Sequence, residues 1–403
     1  AQRRARVSLW TLHALLLLAL GGLLWRACGL AWAVGTLAFL ALEPTVGAHL
    51  PIVMTDLPLA LTLAVAAIAS GLLAATWQWR WVTGSGVAMG LALAAKHSAL
   101  AGLAGLALLL GVAALAGAWR EPRVLLSRIG MVACAGILAV GVLWTIYGLR
   151  FHAGADGSDA FNAPIAAKIG EITLPHWRHG LAFADAHQLL PRSYLWGLAD
   201  TVRTGVEGRS LGMHFVWGQT YYGTPPWFAW PAILVAKIPL ALLVLALAGV
   251  PLAFRRRLPP SARWSMAAVI AACGFHMIAL VGSDGIWGGV RHALPVVVGA
   301  GVLAGAVAHW AWQRRSRTLV AGVAAVYVVA AGMSLREPRL WEYHNELVGG
   351  TENAYRYFTN EGLDLGQRFH ELHDLHDRLV EPSGQPMFVD YWVGEQQMRA
   401  AKF

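Results

Sequence analysis

Long apolar runs alternate with short polar segments along most of the chain. A membrane-spanning helix needs about 20 mostly apolar residues. Ten segments approach or reach that length, at 8–25, 29–43, 57–77, 81–95, 99–118, 127–148, 229–253, 264–283, 292–311 and 318–335. The pattern predicts an all-α polytopic membrane protein with about ten transmembrane helices. Two stretches fall outside it: 149–228, and the polar sequence that follows Arg336.

Arginines mark alternate connections between the apolar segments. They follow the first, third, fifth, seventh and ninth segments, beginning at Arg26, Arg80, Arg120, Arg255 and Arg314. Cytoplasmic loops carry an excess of Lys and Arg, so this side is predicted to be cytoplasmic. The other connections are then extracytoplasmic: 44–56, the turn at Lys96, the large loop 149–228 and the turn 284–291. Within the large loop, Leu195, Leu198 and Val202 are spaced as in a short amphipathic helix over 193–204.

Composition agrees with a membrane protein. The 403 residues are 57% hydrophobic and 13% charged, which leaves too little polar surface for an ordinary soluble enzyme. The net charge of +9 comes from arginine-rich loops and does not indicate a nucleic-acid-binding surface. Residues 337–403 differ, with six basic and twelve acidic side chains. We therefore predict a transmembrane core at 1–336 and an incomplete extracytoplasmic C-terminal domain at 337–403.

Carboxylates are scarce in the apolar part of the chain. The first 148 residues contain only Glu43, Asp56 and Glu121. Asp56 directly precedes an apolar run with Pro58 in its first turn, a pattern typical of a helix N-terminus. It is either a helix cap, stabilised by free backbone amides, or a carboxylate at the membrane surface that faces a substrate or a metal.

Several cations lie at or inside the ends of apolar segments. Lys96 either extends to the interface or binds an anionic headgroup. Lys237 lies several residues inside the seventh segment, where a buried ammonium requires a phosphate or carboxylate partner. Arg291 and His292 open the ninth segment, and an arginine there either anchors the helix or holds a phosphate with paired hydrogen bonds.

The histidines give little indication of a metal. His49 lies near the scarce carboxylates, where it is an interfacial residue or part of a cavity. The remaining candidates are spaced three residues apart and match no zinc signature: His176 with His179, and His370 with His373 and His376. Leucines alternate with the second group as in an amphipathic surface helix. No metal ligand is assigned from the sequence.

Several of these residues fall into stretches that follow one another in a recognisable order. They are Ala-His at 48–49 with Thr-Asp at 55–56, the Lys96 turn within 90–100, Tyr-Tyr at 221–222 before Lys-Ile-Pro at 237–239, and Gly-Val-Arg-His-Ala-Leu-Pro at 289–295. A fifth stretch, Tyr343 to Gln367, contains Asn-Glu-Leu-Val-Gly-Gly and Leu-Asp-Leu-Gly-Gln. Together they resemble the membrane-embedded C-type glycosyltransferases, family 39 in particular. That family includes protein O-mannosyltransferases and lipid A aminoarabinose transferases. Leu365 departs from the family's usual tryptophan.

The resemblance implies transfer of a sugar from a polyprenyl-phosphate donor to a protein or lipid acceptor at the extracytoplasmic face of a membrane, the inner membrane in bacteria. It implies a catalytic role for Asp56. It implies contact with the donor phosphate for Lys96, Lys237, Arg291 and His292, and a substrate cavity that includes His49, Tyr221 and Tyr222. A divalent metal is the one cofactor that it leaves open.

The resemblance also bears on the N-terminus. Family members carry an acidic pair, including the main acid/base, in an external loop upstream of the position that corresponds to Ala1. We therefore expect the main acid/base upstream of Ala1, with Arg3, Arg4 and Arg6 near the end of that loop, and an inactive fragment. Two other classes remain open from the residues alone: a transporter or lipid flippase, since sparse charges at helix ends suit it, and a non-catalytic membrane scaffold that binds through its acidic tail.

Overall fold

A computed structural model describes residues 2–208, 212–255, 257–283, 288–359 and 368–386. These ranges are mostly helical. The longer helices are α1 (Gln2–Cys28), α2 (Leu30–Leu42), α3 (Pro44–His49), α4 (Asp56–Thr76), α5 (Trp79–Ala95), α6 (Ala99–Leu115), α7 (Pro122–Ile146), α8 (Ile165–Gly170), α9 (Pro175–Ala186), α10 (Arg192–Thr201), α11 (Ala229–Lys237), α12 (Leu240–Ala253), α13 (Pro260–Val281), α14 (Leu294–Gln313), α15 (Arg317–Leu335) and α16 (Phe369–Leu375). Short 3₁₀ turns cover Gly289–Ala293, Leu340–Glu342, Glu346–Val348 and Thr351–Arg356.

All ten predicted apolar segments form helix, but fewer of them are long enough to cross a membrane. Within the described ranges, six helices meet that requirement by length and composition, or seven if α11 and α12 form one bent span. Helix α2 has 13 residues, about 20 Å at 1.5 Å per residue, against a hydrocarbon core of about 30 Å. The structure therefore supports a multi-pass membrane protein and does not confirm a count of ten spans.

Helix α4 lies at the centre of the bundle. In its apolar window 94% of the residues are buried, and it packs against α1, α5, α6, α13 and α14. Helices α7 and α15 lie at the periphery, with 17% and 11% of their windows buried. A helix that is apolar all round and largely uncovered is typical of a lipid-facing span. The first residue of the central helix is Asp56, so the fold places this carboxylate in the middle of one end of the bundle.

Small residues allow the central helices to approach closely. A Cβ atom at Gly71 would collide with the backbone of Ser265, and one at Gly249 would collide with the carbonyl of Leu303. Close backbone contact of this kind gives membrane helices dispersion contacts where water cannot drive their association. These contacts bring α4 against α13 and α12 against α14.

The predicted seventh segment, 229–253, is broken. Helices α11 and α12 meet at an angle of 118°, at Ile238 and Pro239. Proline has no N–H to donate and cannot continue an α-helix from its N-terminal side. The side-chain amide of Asn345 donates to the carbonyls of Val235 (2.5 Å) and Ile238 (2.8 Å). The backbone N–H of Asn345 also donates to the Ala236 carbonyl (2.8 Å), so the polar groups freed by the break have partners.

The large loop 149–228 forms its own small unit. A hydrophobic cluster that includes Ile169, Leu181 and Leu195 packs on Leu143 at the end of α7. The predicted amphipathic helix is confirmed as α10 (Arg192–Thr201), with Leu195 and Leu198 buried. The imidazole Nε2 of His97 donates to the Tyr194 carbonyl at 3.2 Å, which fixes the loop to the turn that carries Lys96.

The loop also contains a β-hairpin that the sequence did not predict. Strands β1 (Met213–Val216) and β2 (Gln219–Tyr222) pair antiparallel, with Val216 opposite Gln219. The two turn residues, Trp217 and Gly218, both have positive φ, at 54° and 76°. This is the backbone of a tight hairpin turn, whose twist matches that of the strands. Phe358 forms a bridge to Val216, so the C-terminal segment contacts the hairpin.

Candidate functional site

Three residues from separate helix ends meet in one ion-pair cluster. The Nζ atom of Lys96 lies 2.6 Å from Oδ1 of Asp56 and 2.8 Å from Nδ1 of His292. The side chain of Asp56 is 5% exposed and that of Lys96 is 24% exposed, so a cation at the surface holds a buried carboxylate. An ammonium only donates, so His292 accepts at Nδ1 and its neutral ring carries a proton on Nε2. The predicted helix-cap role is not seen, because Thr55 is the cap residue of α4 and Asp56 bonds Lys96.

Arg291 and His292 are presented by the 3₁₀ turn Gly289–Ala293. The preceding Gly288 has φ of 75°, a conformation that favours glycine. The Nε2–H of His276 on α13 donates to the His292 carbonyl at 2.9 Å and so holds this turn against the bundle. Arg291 lies close enough to Asp56 to interact with it electrostatically. The rest of the predicted turn, residues 284–287, lies outside the described residues.

Lys237 is buried among both the carboxylates that the sequence predicts and a carbonyl that it does not. Its side chain is 1% exposed, and Nζ donates to the backbone carbonyl of Trp341 at 2.8 Å. Glu43 and Glu342 lie near enough to interact with the ammonium electrostatically. The expected carboxylate neighbours are therefore present, together with a carbonyl that no sequence pattern indicated. These contacts join the broken helix to α3 and to the segment that follows α15.

His49 lies between the two charged clusters. Its Nδ1–H donates to the Thr45 carbonyl at 2.6 Å, and its ring lies 4.6 Å from the ring of Trp341. Burial lowers the pKa of His49, although the Thr45 bond and Asp56 partly oppose that effect. Charges on Arg291 and Lys237 also act on the ring. A neutral His49 with its proton on Nδ1 has its lone pair on Nε2.

The paired tyrosines lie in the β-hairpin. The hydroxyl of Tyr221 donates to Oε1 of Gln219 at 3.1 Å, and its ring lies 6.1 Å from that of Phe228. Tyr222 is 80% exposed. Both tyrosines thus have contacts within the loop, and their predicted role in a substrate cavity remains a prediction.

No group of three or more His, Cys, Asp and Glu side chains that could hold a metal occurs among the described residues. Of the spaced histidines, His373 and His376 each lie near Asp377, at 3.1 and 3.2 Å, near the described end of the tail.

The C-terminal segment contributes more to the site than the sequence indicated. Trp341 contacts His49 and Lys237, and Asn345 binds the helix break. The sequence marks Asn345 only as part of the fifth stretch, and no pattern marks Trp341. Their roles could not be predicted, because both residues contact partners that are distant in sequence. The end of that stretch, 360–367, lies outside the described residues.

The chain matches no protein-family model, no curated protein and no solved structure in comparisons of sequence and fold. The fold alone defines the class of protein: a multi-pass helical membrane protein with a charged cluster at one end of the bundle.

Proposed function

We propose that this chain is the membrane core of a glycosyltransferase of the family 39 type. It would transfer a sugar from a polyprenyl-phosphate donor to a protein or lipid acceptor at the extracytoplasmic face, in the bacterial inner membrane. The observation that supports this proposal best is the meeting of Asp56, Lys96 and His292 from three helix ends, with Arg291 beside them. Four of the five stretches that resemble the family supply these residues or lie next to them.

The chemistry of the cluster suits a lipid-linked phosphate. The prenyl chain of such a donor stays in lipid while its phosphate lies at the interface. Lys96 and Arg291 supply positive charge near one carboxylate, and charge-assisted hydrogen bonds to a departing phosphate stabilise a transition state in which negative charge develops there. Asp56 would orient the acceptor or the general base. Lys237 would contribute positive charge at a distance, since its ammonium already donates to the Trp341 carbonyl.

Two measurements test the proposal. The purified chain in lipid nanodiscs is titrated with polyprenyl phosphate, and Lys96→Gln is expected to weaken binding about tenfold or more, the loss of one charged hydrogen bond. Arg128→Gln serves as the matched control, because Arg128 lies over Trp77 at the opposite end of α4 from Asp56. It is expected to leave binding unchanged. In a glycosyl-transfer assay on the complete protein, Asp56→Asn is expected to reduce transfer at least a hundredfold with normal expression. Equal turnover by this variant and the parent protein would refute the assignment of Asp56.

A transporter or flippase is the second candidate, and the broken helix favours it. Discontinuous helices with freed backbone groups line the binding sites of many secondary transporters, and α11 and α12 are bent by 118°. Reconstituted vesicles that accumulate a solute, or that move a labelled polyprenyl lipid between leaflets without glycosyl transfer, would select this function.

A further inference from the structure

Four buried side-chain nitrogens at this end of the bundle have no hydrogen-bond partner within the described part of the chain. They are Nε2 of His49, Nε1 of Trp230, Nε1 of Trp341 and Nε of Arg291. His49 and Trp230 are each only 2% exposed. A buried polar group without a partner costs about 1–3 kcal/mol, so four at one junction call for an explanation.

These nitrogens lie on elements that pack together. The ring of Trp341 lies 4.6 Å from that of His49, and the ring of Trp230 lies 6.4 Å from that of His292. The 3₁₀ turn that carries Arg291 packs on α11, which carries Trp230. Arg291 also acts electrostatically on His49. The unpartnered groups thus border one region, beside the Asp56 and Lys96 pair.

Their hydrogen-bonding character is mixed. Both indoles and Nε of Arg291 are donors. His49 already donates from Nδ1 to Thr45, so its Nε2 accepts when the ring is neutral. A hydroxyl group both donates and accepts and can satisfy either kind of atom. Three aromatic rings and a few convergent polar groups are typical of a small-molecule site.

The charges near this region disfavour a cationic ligand. Asp56 is already paired with Lys96, and Glu43 lies near the ammonium of Lys237. An added ammonium would face Arg291 and Lys96, while Asp56 and Glu43 already face the ammonium groups of Lys96 and Lys237. Like charges brought together cost several kcal/mol. A ligand rich in hydroxyl groups carries no such penalty.

We propose that His49, Trp230, Trp341 and Arg291 form a subsite for the sugar of the donor, and that it takes a neutral hydroxyl-bearing sugar rather than an amino sugar. The proposal rests on the proposed function and narrows its substrate class. Binding of the sugar supplies the hydrogen bonds that the four nitrogens lack. The phosphate of the same donor lies at Lys96 and Arg291.

The test compares three lipids on the purified full chain in nanodiscs: polyprenyl phosphate, polyprenyl-phosphate hexose and polyprenyl-phosphate amino sugar. We expect the hexose lipid to bind at least tenfold more tightly than the sugar-free lipid, and the amino-sugar lipid to show no such gain. Trp341→Phe and Trp230→Phe each remove one N–H and keep an aromatic ring. Each is expected to reduce the gain from the hexose about fivefold without altering the affinity for the sugar-free lipid.

Trp310→Phe is the matched control, because its Nε1 is also buried without a partner but its ring lies near Arg255 and Arg314 at the other end of α14. It is expected to change neither affinity. Equal affinity for the hexose and sugar-free lipids would overturn the proposed subsite but not the proposed function. A gain in affinity with the amino-sugar lipid alone would have the same consequence. Failure of all three lipids to bind would overturn both. If a tryptophan variant does not fold, the affinities of the unaltered chain for the three lipids still test the proposed subsite.

Discussion

Lys96 shares its hydrogen bonds between a carboxylate and an imidazole. This arrangement keeps Asp56 ionised and turned toward the helix end, and it fixes the proton position on His292. Removing one partner of a buried pair costs more than removing both, because the remaining charge is left without a counterion. The Asp56 and Lys96 pair therefore helps to hold the turn that carries Arg291 in place, in addition to supplying charge.

The large loop 149–228 contains an acid-sensitive contact between individual side chains. Asp159 accepts hydrogen bonds from the backbone N–H of Ala153 (2.9 Å), from Arg192 (2.8 Å) and from His152 (2.9 Å). Burial by itself raises the pKa of Asp159, but these hydrogen bonds together outweigh it and lower the pKa to about 2. A carboxyl whose pKa falls on folding stabilises the folded state above its unfolded pKa, and that stability is lost as pH falls through the folded pKa.

We therefore expect the loop to loosen between about pH 4 and pH 2. Hydrogen exchange of residues 150–200, corrected for intrinsic rates, should increase over this interval. Asp159→Asn should remove the change and show faster exchange already at pH 6. Glu171→Gln, an exposed carboxylate of the same loop, is the control and should behave as the parent protein. An acid response retained in Asp159→Asn would assign it to another group.

Individual residues were predictable where their scarcity made them stand out. Asp56, Lys96 and His292 were singled out because charged side chains are rare beside apolar runs, and the structure brings all three together. Their pairing could not be predicted, since 40 and 196 positions separate Lys96 from its two partners. The carbonyl partner of Lys237 has no side chain to identify it, and so the sequence suggested only a phosphate or a carboxylate.

At the scale of elements, the apolar runs predicted where helices lie but not how one of them bends. Residues 229–253 are apolar throughout, and Pro239 alone hints at an interruption. The bend depends on Asn345, which supplies three hydrogen bonds to carbonyls of the interrupted helix from more than a hundred positions away. Likewise, the two-residue turn at 217–218 was missed because Trp217 adopts a positive φ that its type rarely shows.

Asn345→Ala is expected to loosen the helix break. It removes both side-chain hydrogen bonds to the helix break, and the one that Oδ1 accepts from the Leu347 N–H. Two buried carbonyls are then poorly satisfied, a loss of about 2–3 kcal/mol in stability. Lys237 should then react faster with a lysine-acylating reagent, read by mass spectrometry, while Lys168 in the loop keeps its rate. Asn353→Ala is the matched control, since the side chain of Asn353 donates to the nearby Gly349 carbonyl and not to the helix break. Unchanged protection of Lys237 in Asn345→Ala would show that the break is held by other contacts.

At the scale of the whole molecule, the ends of the helices differ in character. Asp56, Lys96 and His292 meet at one end. Elsewhere, arginines lie over tryptophan rings: Arg80 over Trp81, Arg120 over Trp119, Arg128 over Trp77, and Arg255 and Arg314 over Trp310. Tryptophan and arginine together are typical of a membrane interface on the cytoplasmic side. The count of spans was less predictable, because hydropathy does not separate a short buried helix such as α2 from a lipid-exposed one.

The orientation gives a prediction for the intact cell. In a background with Cys28, Cys134 and Cys273 replaced, Glu171→Cys in the large loop should react with an impermeant maleimide on spheroplasts. Glu121→Cys, at the start of α7, should react only after the membrane is permeabilised. Both positions are exposed, so accessibility within the protein does not explain a difference. External labelling at position 121 would reverse the assigned orientation.

The contact between Lys237 and Trp341 also sets an order of events during synthesis. Trp341 follows Lys237 by 104 positions, and Asn345 comes later still. At about 5–20 residues per second, the ribosome needs roughly 5–20 s after adding Lys237 before it adds these partners. During that interval the ammonium and the opened carbonyls must find temporary partners, in water, in lipid headgroups or in the insertion machinery. The bent span can take its final form only after α13, α14 and α15 have been made, because Trp341 and Asn345 follow α15 in the chain.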